Sequence, residues 1–213
     1  MSGRLKSVLF MFAITLAFTF AVSAVKLGLQ ERIDRNESIK LKRVIMKVLG
    51  FPVELKADRE LLALYAARVK EIKAGKTTLY LGHGEKGRLA GIAFPVGGAG
   101  FWGPIHGMAA AKPDGSRLLG VAFYKHNETP GLGGRITEPW FSGQFKGLSL
   151  AAKQSGRVFS LTQGGGGEPG RLDAITGATQ TSRAVEKFLN RDLARFVEMI
   201  KKNPALVKQA GVR

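Results

Sequence analysis

Residues 8–25 read VLFMFAITLAFTFAVSAV, eighteen positions without a charge. A helix of that composition has no polar face to turn to water, so it must lie in lipid or inside a large core. At 1.5 Å per residue the run just spans a hydrocarbon layer. Arg4 and Lys6 precede it and Lys26 follows it. The basic N-flank favours a cytoplasmic N-terminus, with the chain from residue 26 onward outside. Val22-Ser23-Ala24 also fits the small-residue site at which a signal peptide is cleaved, although the run exceeds a usual apolar region of about 7–15 residues. An uncleaved anchor is the favoured expectation, and either reading exports the remainder.

The exported part is basic. The chain carries 33 Lys and Arg against 16 Asp and Glu, a net charge of +17, and only Arg4 and Lys6 lie before the apolar run. Such an excess suits an anionic membrane face, an acidic partner or a bound phosphate. Nucleic acid is not expected, because an exported chain rarely meets it and no interleaved aromatic–basic motif is visible. The absence of cysteine excludes disulfides, thiolate metal sites and Cys nucleophiles. His83, His106 and His126 lie far apart without metal-ligand spacing, so no metal site is expected.

The patterning predicts an α+β chain: an N-terminal transmembrane helix, then one mixed, largely antiparallel sheet domain with flanking helices. Apolar spacing predicts helices over 28–49 and 58–73, the second capped by Asp58. Strands are expected at Thr77–Leu81, Arg88–Val96, Arg117–Tyr124 and Arg157–Thr162, the first two joined through GHGEKG. Residues 179–202 predict a closing helix, with Val185, Phe188, Leu189, Leu193, Phe196, Val197 and Ile200 on one face and Pro204 after it. The expected divisions are 1–26 (stub and anchor), 27–75 (helical, membrane-proximal) and 76–213 (sheet domain).

Four segments invite a chemical reading. Gly98–Gly103 is formally GxGxxG, but Pro104 follows and no βαβ unit surrounds it, so a turn with Phe101 and Trp102 packed on the domain is expected instead of a dinucleotide site. The glycine run at 164–167 lacks the Lys-Ser/Thr ending of a phosphate loop and reads as a connection. His126-Asn127-Glu128-Thr129-Pro130-Gly131-Leu132-Gly133 follows a strand. Its glycines allow close backbone approach, though Pro130-Gly131 alone would be an ordinary turn. Asp173-Ala174-Ile175-Thr176-Gly177-Ala178-Thr179-Gln180-Thr181-Ser182 opens the closing helix, where free N–H groups favour an anion. Simple N-capping is the plainer account of those hydroxyls.

Taken together, these segments resemble the FMN-binding domain family, as found in the C subunit of the Na+-translocating NADH:quinone reductase and the G subunit of the Rnf electron-transport complex. In that family a D-x-x-[S/T]-G-A-T pattern receives FMN through a phosphoester bond to its last threonine. The matching stretch is Asp173 to Thr179, so the resemblance implies Thr179 as the attachment residue, with Asp173, Thr176 and Gly177 part of what a flavin transferase reads and Gly177 and Ala178 leaving space around Thr179. Glu128, Thr129, Pro130, Gly131, Leu132 and Gly133 match a second signature near the flavin. Gly100-Phe101-Trp102 and Trp140-Phe141 with Gln144-Phe145-Lys146-Gly147 match weaker ones. Trp102 and Leu132 would supply apolar walls, and Lys146 and Arg183 are candidates to neutralise phosphate.

The resemblance implies covalent FMN and a single-pass subunit of a respiratory electron-transport complex in the bacterial inner membrane. Its main domain, 76–213, would bind FMN on the extracytoplasmic side. Its partners would be the other subunits and the transferase; no catalytic residue of its own is implied. The alternative is an exported basic module that binds anionic lipid, polymer or an acidic partner without a redox cofactor.

Overall fold

The structure is a computed structural model that describes residues 3–53, 56–75, 77–151, 157–165 and 168–203. By its contacts the chain divides into a unit ending at Lys40 and a second beginning at Leu41. Helix α1, Gly3–Val48, holds the whole apolar run, and every residue of 8–25 is exposed within the chain. Among the described residues it is the helix long and apolar enough to cross a membrane. The apolar run and the expected helix from 28 are therefore one element. Gly28 alone, at about 1 kcal/mol relative to Ala, does not end it.

What ends α1 is Gly50, at φ +87°. Its N–H donates to the Lys47 carbonyl at 3.0 Å and Phe51 N–H donates to the Met46 carbonyl at 3.0 Å. This paired closure satisfies two orphan carbonyls through a left-handed glycine. The following connection is tied by Arg43, which donates to the carbonyls of Val53 (2.7 Å) and Lys56 (3.0 Å) and to the Asp58 carboxylate (2.8 Å). Asp58 thus pairs with Arg43 and does not cap helix α2, Asp58–Arg68, whose N-cap position is Ala57.

The predicted helix over 58–73 is shorter than expected. Val69–Ala74 is instead β1, paired antiparallel with β2, Thr77–His83. Local apolar spacing is a weak prior, and ladder pairing overrides it here. The sheet continues through β3 (Leu89–Ala99), β4 (Pro104–Ala111) and β5 (Leu118–Lys125), in the order β1-β2-β3-β4-β5 and antiparallel throughout. It therefore begins before residue 76. Strand β4, PIHGMAAA, carries little β-propensity and escaped the sequence reading, yet it lies between β3 and β5. Its proline stands at the first strand residue, where the ladder tolerates it.

The sheet has two unlike faces. One presents Leu79, Leu81, Ile92, Phe94, Val96, Ile105 and Phe123 to the closing helix α4, Thr179–Lys202. Phe94 and Phe196 stack with centroids 4.0 Å apart, and Phe188 meets Phe123 edge to face at 6.2 Å. The other face is small-residue backbone under the end of α1. A Cβ on Gly82 would meet Leu49 at 2.9 Å, and one on Gly120 would meet the Val48 carbonyl at 3.2 Å. The strand expected at Arg157–Thr162 is shorter, β6 (Ser160–Thr162), and pairs in parallel with β7, Arg171–Asp173. Asn190 of α4 holds the segment before β6, accepting from Val158 N–H at 2.8 Å and Phe159 N–H at 3.2 Å. Of the glycine-rich connection, residues 166 and 167 lie outside the described residues, as does Pro204.

Gly98 lets α4 sit directly on β3: a Cβ there would lie 2.6 Å from the Phe188 Cβ. Gly98→Ala is expected to lower stability by about 1–3 kcal/mol through overpacking. Thermal unfolding of the full chain should show a Tm drop of roughly 2–4 °C for each kcal/mol lost.

Candidate functional site

Three loops meet at one end of the sheet. The first is the Gly100–Gly103 turn that joins β3 to β4, closed by Gly100 N–H donating to the Gly103 carbonyl at 2.8 Å. A strand leads out of it, not a helix, so GxGxxG here is hairpin chemistry. The turn is not packed on the domain as expected: Phe101 and Trp102 are 56% and 64% exposed, with their rings edge to face at 4.9 Å.

The second loop runs from His126 to Gly133 and leads into a 3-10 turn, Gly133–Thr137. Thr129 closes it, its carbonyl accepting from Leu132 N–H at 3.2 Å and Gly134 N–H at 2.9 Å. Gly131 at φ +74° forms the exposed tip with Pro130, and Leu132 stays 45% exposed.

The third segment carries the D-x-x-T-G-A-T stretch. Gln144, at the end of α3 (Pro139–Gly143), clamps Asp173 by both main-chain groups. Its Oε1 accepts Asp173 N–H at 2.6 Å and its Nε2 donates to the Asp173 carbonyl at 3.2 Å. A turn follows, closed by Ala178 N–H to the Ile175 carbonyl at 3.0 Å, with Gly177 at φ +77°. Helix α4 then begins at Thr179. Its N-cap position is Ala178, which supplies no side-chain cap, and its first turn holds no acidic residue.

The hydroxyls of this segment divide cleanly. Ser182 Oγ accepts Ile175 N–H at 3.0 Å and Thr181 Oγ1 donates to Glu128 Oε2 at 2.5 Å, both buried. Thr176 and Thr179 are exposed. Capping therefore does not account for Thr179, which stands as the first residue of a helix without a side-chain cap, where the first N–H groups have no intrahelical partner.

Between the three segments lies an open cavity of about 270 Å³. Phe101 and Trp102 line one part and Thr129, Leu132 and Gly133 another; Gly177 through Thr181 and Glu128 complete it. Of the residues expected to bind a cofactor, Thr179, Gly177, Ala178, Glu128, Thr129, Leu132, Gly133 and Trp102 line the cavity. Asp173, Thr176, Pro130 and Gly131 do not. Phe101, Gln180 and Thr181 also line it; the hydroxyl-rich segment contains Thr181, but spacing alone does not mark it as part of the site. Neither Lys146 nor Arg183 lines it, and no lysine or arginine is among its lining residues. Among the described residues no group of His, Asp and Glu is arranged to hold a metal ion.

Residues 100–194 match the FMN-binding domain family. The resemblance read from Glu128–Gly133 and Asp173–Thr179 thus extends over the whole stretch between and around them. The C subunit of the Na+-translocating NADH-quinone reductase of Neisseria meningitidis is 36% identical over 115 residues, 54% of this chain and 45% of that protein. The same subunit of the Yersinia pestis reductase is 32% identical over 120 residues, 55% of this chain and 45% of that protein. That of Chlamydia muridarum is 30% identical over 165 residues, 70% of this chain and 52% of that protein. The chain spans about half the length of the curated relatives it matches.

Two solved structures share the fold. The crystal structure of Shewanella oneidensis NqrC superposes with a TM-score of 0.67 at 20% identity, over 80% of this chain and 97% of that one. The crystal structure of the corresponding reductase subunit from Parabacteroides distasonis gives 0.68 at 24% identity, over 81% and 96%.

Gly177 combines a left-handed backbone with a tight neighbour, since a Cβ there would meet Leu132 Cδ2 at 3.2 Å. Gly177→Ala should destabilise the fold by about 1–2 kcal/mol from the backbone alone. The exposed Thr176→Ala next to it should stay within about 0.5 kcal/mol of wild type in urea unfolding.

Proposed function

We propose that this chain is a membrane-anchored electron-transfer subunit that carries FMN covalently on Thr179. The observation that carries the reading is the exposed Thr179 at the first position of uncapped α4, in a cavity walled by exposed aromatic side chains.

The residues present fit the group. A flat, largely apolar ring system suits the walls that Phe101, Trp102 and Leu132 leave half open to solvent. A phosphate suits the N–H groups and dipole of the helix start, which need no lysine or arginine nearby. Gly177 leaves the space beside Leu132 free of a Cβ. FMN, when bound, supplies one- and two-electron chemistry that no side chain of this protein offers. The chain's own part is to hold, orient and partly shield it. Attachment would form a P–O bond at Thr179 Oγ1 as the pyrophosphate of FAD breaks, with AMP and the hydroxyl proton released. A Mg-dependent flavin transferase would direct that exchange, reading Asp173, Thr176 and Gly177. Gln144 supports this by fixing the backbone of Asp173 in place.

The relatives are named as subunits of a Na+-translocating NADH-quinone reductase. We take this chain to serve in a complex of that kind, Nqr-like or Rnf-like, with other subunits as its redox partners. Helix α1 would anchor it by a single pass in a bacterial inner membrane, with the sheet domain on the extracytoplasmic side. A tethered cofactor is the sensible form there, because a dissociated flavin would be lost.

Co-expression with a flavin transferase followed by denaturing electrophoresis is expected to give in-gel flavin fluorescence and an intact mass raised by one FMN. Thr179→Ala should abolish both, and Thr181→Val should not remove the attachment point. An unmodified wild-type mass would overturn the proposal, and so would fluorescence retained by Thr179→Ala.

A further inference from the structure

Glu128 lines the cavity, yet its carboxylate is fully engaged within the protein. It is 4% exposed. Oε1 accepts the N–H groups of Phe101 at 2.9 Å and Trp102 at 3.1 Å, and Oε2 accepts the Thr181 hydroxyl at 2.5 Å. The Glu128 N–H itself donates to His126 Nδ1 at 3.2 Å. A buried carboxylate is tolerated only when its oxygens are satisfied, and charge-assisted bonds of this kind are the strong ones. These bonds join three segments far apart in sequence: the β3–β4 turn, the loop after β5 and the first turn of α4.

The surroundings are shaped around the carboxylate. A Cβ at Gly100 would lie 2.5 Å from Glu128 Oε1, and one at Gly133 would lie 2.8 Å from Oε2 and 2.5 Å from Thr181 Oγ1. Both glycines therefore answer to Glu128. Gly131, at the loop tip, has nothing within 4 Å of its added Cβ.

We propose that Glu128 is a positioning residue that braces the Phe101–Trp102 turn against the start of α4 and so fixes the spacing of the cavity walls, without itself holding the flavin. The brace is a property of the chain; that the cavity it shapes takes FMN rests on the reading above. Loss of the carboxylate frees two backbone N–H groups and a hydroxyl at once. Glutamine keeps the arrangement: its carbonyl oxygen accepts from both N–H groups and its amide donates to the Thr181 hydroxyl.

The test uses the full chain in detergent, made without a flavin transferase, in a Trp140→Phe background that leaves Trp102 as the only tryptophan. Fluorescence anisotropy decay then reports how firmly the turn is held. Glu128→Gln is expected to match wild type, and Glu128→Ala to gain a fast, large-amplitude component. Thr181→Val and Gly133→Ala, which disturb the brace from its other side, should shift the decay in the same direction and serve if Glu128→Ala does not fold. With the transferase present, flavin loading should fall about tenfold in Glu128→Ala, in line with losing a buried hydrogen-bond partner, and persist in Glu128→Gln. An ordered Trp102 in Glu128→Ala overturns the brace. So does Glu128→Gln behaving like Glu128→Ala, which would assign the effect to charge. If wild type takes no flavin, the flavin reading fails, while the anisotropy series still decides the brace.

Discussion

The closing helix lies on the sheet with almost no side chain between backbones at one point, where Phe188 meets Gly98. Everything that makes the site depends on that contact. Phe94 stacked on Phe196 fixes the far end of α4, and Asp192 accepts Gly97 N–H at 3.0 Å while Arg191 donates to the Gly97 carbonyl at 2.6 Å. A helix pinned by packing and by two polar bonds to one residue of β3 has little freedom to slide or roll. Its N-terminus is therefore delivered to a defined place beside the hairpin turn that β3 enters. The same element supplies part of the core of the domain and one wall of the cavity. A long rigid helix holds a terminal residue more firmly than a loop would.

Polar residues on α4 extend this control to chain that has little regular structure of its own. Asn190 satisfies two N–H groups and one carbonyl of 158–159, and Glu186 accepts Leu161 N–H at 2.8 Å. These bonds set β6, β6 pairs with β7, and β7 leads into Asp173. Gln144 grips Asp173 from the opposite element. The Asp173–Thr179 segment is thus held from two sides, while Thr176 and Thr179 remain open to solvent.

Much of this was legible in the sequence, for reasons that differ by element. The apolar run, the amphipathic face of α4 and the β2, β3 and β5 strands announce themselves by periodicity, which is a local property. β4 does not, because its central place rests on small residues that let neighbours close in, and β1 was hidden by apolar spacing that suits a helix equally well. The short motifs share one place in the fold, since eight of the twelve residues they name line one cavity. Their order along the chain could not reveal that Glu128 faces Thr181 and the Phe101–Trp102 turn, because that meeting is made by the sheet and helix together. Nor could it show that Phe101 and Trp102 stay exposed at the hairpin end.

The net charge of +17 also looks different once the site is in view. The cavity is lined by one carboxylate and no lysine or arginine, so the basic excess does not serve there. Glu128 is held by backbone and hydroxyl donors, and an anion would be drawn by the start of α4. That attraction is short-ranged, confined to about the first turn, and it selects a phosphate by position where a field of lysines would gather anions of any kind. A separate duty for the surface charge follows. Exposed lysines and arginines act over roughly a Debye length, about 8–10 Å at physiological salt, and speed encounter with anionic surfaces or acidic partners. The helix start and the surface charge thus act at different places and over different ranges, so a basic surface need not compete for an anion held at the helix start.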